Sequence, residues 1–168
     1  MDIKKALSLV EKNDKFKAWK ASTKNTFLAH VFAMFDKNNE NILQFGYFNP
    51  DNEKITTFII EGEKVSMSAE SEIFKRPESE LKELDMEKVK ITLKQASDLM
   101  KEFQEENYAR EKPTNSFVIL QHIEHGHVYN FTYVTAAFNM LNVKIDSSTG
   151  EVLEHQLSNL MDMGSFEK

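Results

Sequence analysis

Cysteine is absent from this 168-residue chain. Its absence excludes disulfides, a thiolate nucleophile and Cys-ligated zinc. Glycine is sparse, 5 residues in scattered positions, so no glycine-rich phosphate loop is visible. No apolar run approaches the length of a membrane span. Lys4, Lys5 and Glu11 interrupt the amino-terminal stretch where a secretory leader would be apolar. The expected location is therefore the cytoplasm. Positive charge is also short: the net charge of −6 argues against sequence-independent nucleic-acid binding, which needs cations facing phosphates.

What is present is globular material. The chain is 40% apolar and 29% charged, with 13 Phe against 3 Pro, which is enough to build cores. Residues 1–24 hold seven lysines against three acidic residues, leaving fourteen basic against twenty-four acidic side chains in the rest. A basic helix of this kind reads as a solvated face complementing the acidic remainder.

Apolar residues at Ile3, Ala6, Leu7, Val10, Phe16 and Trp19 give helical spacing over 3–19, with a break near Asn13-Asp14, where Asp14 can cap a second short helix. Strand patterns follow at 26–35, 41–48, 54–61 and 64–68, separated by turn chemistry at 36–39, 49–52 and 61–63. Residues 71–88 are charged, contain Pro77, and read as a linker with one short helix around 79–84. A further helix begins near Thr92, where Thr92 and Gln95 fit a capping box; Val89, Leu93, Ala96, Leu99, Met100 and Phe103 form its apolar stripe. Pro113 closes the helical region, and strands are expected at 116–124, 127–137, 140–146 and 151–157.

Both halves thus read as helix followed by four strands. A shift of 90 positions places Ala6 on Ala96, Leu9 on Leu99, and Asn25-Thr26-Phe27 on Asn115-Ser116-Phe117. A shortened first hairpin then aligns Ile42-Leu43-Gln44-Phe45 with Val128-Tyr129-Asn130-Phe131. The expected organisation is a first unit over 1–70, a charged linker over 71–88, a second unit over 89–160 and a tail over 161–168.

The segments ITLKQASDLM (91–100), HVYNFTYV (127–134) and LNVKIDSSTGEVLEH (141–155) resemble a PepSY domain, the last of them its closing hairpin. The resemblance spans about 90–157. The amino-terminal half joins it through the internal repeat alone, because its closing turn at 61–65 lacks the Thr-Gly pair. It implies a cystatin-like α+β fold: two tandem units, each a helix packed on a four-stranded antiparallel sheet. It also implies a part in restraining peptidases, and it supplies no catalytic residues.

No constellation points to chemistry. His122, His125 and His127 crowd one hairpin tip, and imidazole is a common metal ligand. A two-residue His125-Gly126 turn would oppose 124 with 127 and 122 with 129, placing His122 and His127 on opposite faces and leaving no four-ligand cage. Glu105-Glu106, and Glu70 with Glu72, lie in charged stretches without the unequal environments of acid–base pairs. No nucleophile elbow occurs. Aromatic residues on the strands lack the interleaved basic residues of nucleic-acid platforms.

The strands carry the more informative signal. That hairpin register gathers Val118, Leu120, Tyr129, Phe131 and Tyr133 on one face, to be covered by the helix. Phe117, Ile119, Ile123, Val128 and Val134 fall on the other. In the first unit Leu28, Phe32, Leu43, Phe45 and Tyr47 oppose Phe27, Val31, Phe35, Ile42 and Phe48. A one-helix, one-sheet unit should alternate apolar and polar more cleanly. The second faces, marked by Phe117, Ile119, Ile123, Val128, Val134, Phe27, Val31 and Phe35, are therefore expected to be covered, either by the other unit or by another chain, as in a homodimer. These features read as a non-enzymatic module binding a protein or extended peptide, without cofactor, metal, nucleic acid or membrane. The alternative is a small-molecule binder or enzyme with a pocket between helix and sheet.

Overall fold

The computed structural model describes residues 2–72 and 80–161. Helix α1 (Ile3–Lys12) starts at Asp2, whose carboxylate accepts from the Lys5 amide, and presents Ile3, Ala6 and Val10 to the core. Asn13 both ends α1 and caps α2 (Asp14–Ser22), so the cap expected of Asp14 sits one residue earlier. Helix α3 (Leu93–Asn107) carries the full capping box: the Thr92 hydroxyl accepts from the Gln95 amide and the Gln95 carbonyl accepts from the Thr92 amide.

The strands are β1 (Phe27–Met34), β2 (Ile42–Asn49), β3 (Lys54–Glu61), β4 (Lys64–Met67), β5 (Ser71–Glu72), β6 (Pro113–Ile123), β7 (Gly126–Thr135), β8 (Asn139–Asp146) and β9 (Val152–Asn159). They do not form two sheets. They form one antiparallel sheet in the order β4-β3-β2-β1-β6-β7-β8-β9, with β5 pairing beside β4 on β3. The expected architecture of two tandem units, each a helix on its own four-stranded sheet, is therefore corrected: β1 and β6 pair directly, His30 opposite Gln121 and Val31 opposite Leu120, and fuse the halves edge to edge. Each strand leaves backbone N–H and C=O groups bare on its free side, and mutual pairing satisfies both edges at once.

A β-bulge makes this junction work. The β1–β2 register shifts between Leu28 and His30, so Leu28 opposite Tyr47 and Val31 opposite Phe45 both face the helices. Residues directly opposite in a pair share a face, so Val31 carries Leu120 to that same side. All three helices consequently cover one face, and their side chains join Val31, Phe45, Phe58, Leu120, Phe131 and Val143 in a single core.

The stretch between the halves is more than a linker. Strand β5 pairs with β3, and residues 80–84 are not helical, contrary to the short helix expected around 79–84; residue 79 lies outside the described residues. Leu81 packs on the helix-free face against the cluster of Ala29, Phe48 and Ile55. Leu84 then bonds the Leu28 carbonyl through its amide, and a short 3-10 turn at Met86–Lys88 brings Met86 and Val89 onto the main core. This strap crosses from one face of the sheet to the other where β1 and β6 part. Of the expected tail, residues 162–168 lie outside the described residues.

Candidate binding surfaces

The helix-free face is assembled from both halves. Across the junction Phe32 stands opposite Ile119, and the rings of Phe32 and Phe117 lie 5.8 Å apart. Ile59, beyond Gln44, and Val134, opposite Asn115, extend this patch into a band of half-buried apolar side chains interrupted by polar ones, on which no helix packs among the described residues. Polar neighbours flank the band. Asn142 donates to Oδ1 of Asn130 at 2.7 Å and to the Thr132 hydroxyl, and Lys144 donates to Asn142. Edge-to-edge fusion explains why the band survives: neither half turns its second face toward the other.

The eight residues expected on this surface divide. Phe117, Ile119, Ile123 and Val134 are half-buried on the helix-free side. Phe27 is there too, against Phe48 with ring centroids 5.6 Å apart, beside Leu81. Val128 shares the side but is fully buried. Val31 is turned by the bulge into the helix-covered core, and Phe32 takes its place outside. Phe35 follows Val31, stacking on Phe131 of the core face at 6.1 Å. No glycine or proline at 28–30 signals that bulge in the sequence.

His30 is a residue that strand patterning passed over. It stands opposite Gly46 and Gln121 on the helix-free face, and burial holds its imidazole below the usual range.

A second surface lies on the helical side. An open groove of about 800 Å³ runs between the 36–41 turn and the starts of α1 and α3. Ala33, Phe35, Leu43 and Leu93 supply apolar lining, while Asp2, Asp36, Lys37, Glu40 and Lys94 bring charges of both signs. Asp36 is occupied in its own turn, accepting from Asn38 and Asn39.

The hairpin tip differs from its expected register. The turn residues are Glu124 and His125, with Ile123 opposite Gly126 and His122 opposite His127. The two imidazoles are not on opposite faces; they stack with centroids 4.1 Å apart. His122 Nδ1 bonds the Glu83 carbonyl and His127 Nε2 accepts from the Asp85 amide. Desolvation, reinforced by His122 and Lys88, lowers the His127 pKa against the opposing pull of Asp85 and Asp146. His125 faces Glu154 instead, at 3.7 Å. Among the described residues no group of His, Asp and Glu is arranged to hold a metal ion, and no helix is long and apolar enough to cross a membrane.

No family model matches the chain. No curated protein matches it either. Among solved structures the chain is similar to a putative lipoprotein from Clostridium difficile 630, with a TM-score of 0.53 and 16% identity over 86% of this chain and 91% of that one. At that identity the likeness concerns the fold.

Proposed function

We propose that the protein is a non-enzymatic binding module that engages a protein or extended peptide through its helix-free sheet face. The observation that carries this reading is the half-exposed apolar patch of Phe32, Phe117 and Ile119, continuous across the β1–β6 junction, with Ile59 and Val134 further out on the same face. Burying a large apolar side chain fully contributes roughly 1.5–3 kcal/mol, so completing the burial of several such residues is a strong driving force for association. Restraint of a peptidase is the role that the PepSY resemblance suggests for such a module.

The test is Ile119→Asp. A docking face predicts a melting temperature close to that of the parent together with loss of partner association. Large destabilisation would instead make the site an internal core burying an unpaired charge. A variant unchanged in both respects would make the band ordinary solvated sheet.

The groove favours a second reading, a small-molecule binder, because about 800 Å³ falls within the size range of ligand pockets. Its mouth is wide and its charges are mixed, which suits a ligand with both apolar and polar parts. A small molecule that raises the melting temperature, with the rise abolished by filling the groove through Ser97→Trp, would support this reading; the first reading expects no such stabilisation from a small molecule.

A further inference from the structure

Three consecutive residues of the strap are each tied to a different strand. Glu83 accepts from His122 of β6 at 2.9 Å, Leu84 donates to Leu28 of β1 at 2.8 Å, and Asp85 donates to His127 of β7 at 3.0 Å. Leu84 is 3% exposed, and Leu81 before it caps the Phe27, Phe48 and Ile55 end of the helix-free face. The strap is thus held where it changes faces, and two of these three ties are imidazole nitrogens.

Those two ties respond differently to acid. A carbonyl accepts from His122, so Nδ1 carries the proton and the bond persists when the ring becomes an imidazolium. An amide donates to His127, so Nε2 must offer a lone pair, and the neutral ring carries its proton on Nδ1. Protonation at Nε2 removes the only acceptor the Asp85 amide has in this contact and sets two N–H groups against each other. If His122 is charged as well, two cations then stack 4.1 Å apart.

We propose that His122 and His127 form a proton-operated clasp on the crossover strap, closed when His127 is neutral and released when it takes up a proton. The charged groups facing His127 are His122 from β6, Asp85 and Lys88 from the strap, and Asp146 from the end of β8. Glu87 and Lys90 line the same cleft, of about 310 Å³. Of the four groups that act on the ring, His122 and Lys88 oppose the proton and Asp85 and Asp146 favour it, so the lone-pair requirement and burial set the direction. Release frees Leu81 and lengthens the apolar band by the Phe27, Phe48 and Ile55 patch. The clasp does not depend on what docks on that face.

The experiment is amide hydrogen exchange by NMR on the full chain at pH 7.5 and 5.0, corrected for intrinsic rates. Leu84 and Asp85 are read against core amides such as Phe45 and Phe131. The expected result is a strap-opening constant about tenfold or more higher at pH 5.0 with core protection unchanged, the factor belonging to a single pKa unit. His127→Gln, which keeps an acceptor and cannot titrate, should show equal strap protection at both values. The proposal is overturned if wild-type strap protection is the same at both pH values, or if strap and core open in step. A His127→Gln strap that still opens in acid would overturn it equally. The wild-type ring gives a check that needs no variant: at pH 7.5 its nitrogen shifts should show the proton on Nδ1, and a proton on Nε2 would exclude the clasp.

Discussion

The imidazole of His30 occupies the space that a side chain at Gly46 would need: a Cβ built there falls against Cε1, Nε2 and Nδ1 of the ring. The pair sits at a central crossing of β1 and β2, and the absent side chain is what lets the histidine lie flat on the helix-free face.

Gly46→Ala should therefore destabilise the fold by about 1–3 kcal/mol, as overpacking does in a well-filled site. His30→Ala removes the obstructing ring, so the double variant should recover much of that loss. Urea denaturation of the four proteins gives the coupling directly. Additive effects of the two substitutions would show that the ring and the methyl do not compete.

The Tyr47 hydroxyl makes the opposite case. It is buried among Phe16, Trp19 and Phe58, with ring centroids 5.3, 5.3 and 5.8 Å away, and has no hydrogen-bond partner among the described residues. Burial, with the nearby charge of Glu11, pushes its pKa well up. An unsatisfied buried hydroxyl costs roughly 1–3 kcal/mol, so Tyr47→Phe should stabilise the protein by about 1 kcal/mol, a rise of a few degrees in melting temperature. A lower melting temperature for this variant would mean that the hydroxyl is satisfied in solution.

Stability should also depend on pH in one direction. Burial depresses the pKa of His30, and burial with His122 and Lys88 depresses that of His127, both from 6.5. Between the lowered native values and 6.5 the unfolded chain binds more protons than the native one, so stability rises with pH across that window. It is fully present above about pH 6.5 and declines below it. The urea midpoint at pH 5.5 should lie below that at pH 7.5, and His30→Gln should shrink the difference. A midpoint that is equal or higher at pH 5.5 would contradict this.

Local structure was legible where one short-range rule decided it. Thr92 and Gln95 announce α3 because both halves of the capping box lie within one turn. Val118, Leu120, Tyr129, Phe131 and Tyr133 read as one face because alternation survives a two-residue error in register. The one-residue insertion at the β1 bulge does not have that tolerance: it sends Val31 inward and Phe32 outward, and nothing in Leu28-Ala29-His30 marks it. Pairing of β1 with β6 was equally invisible, since alternation says which face a side chain takes and not which strand lies alongside. The histidine stack was missed for a narrower reason. The glycine points to a His125-Gly126 turn, whereas Glu124 and His125 make it and Gly126, at φ 108, follows as the first residue of β7.

The β1–β6 junction also bears on how the chain can be divided. Each half supplies one flank of the seam, so a cut in the strap yields two fragments, each ending its sheet in a bare strand. One of these is β6, 11 residues long. Alone, such a fragment carries an open template for pairing with copies of itself. Mixed, the two carry complementary edges, each the natural stop for the other.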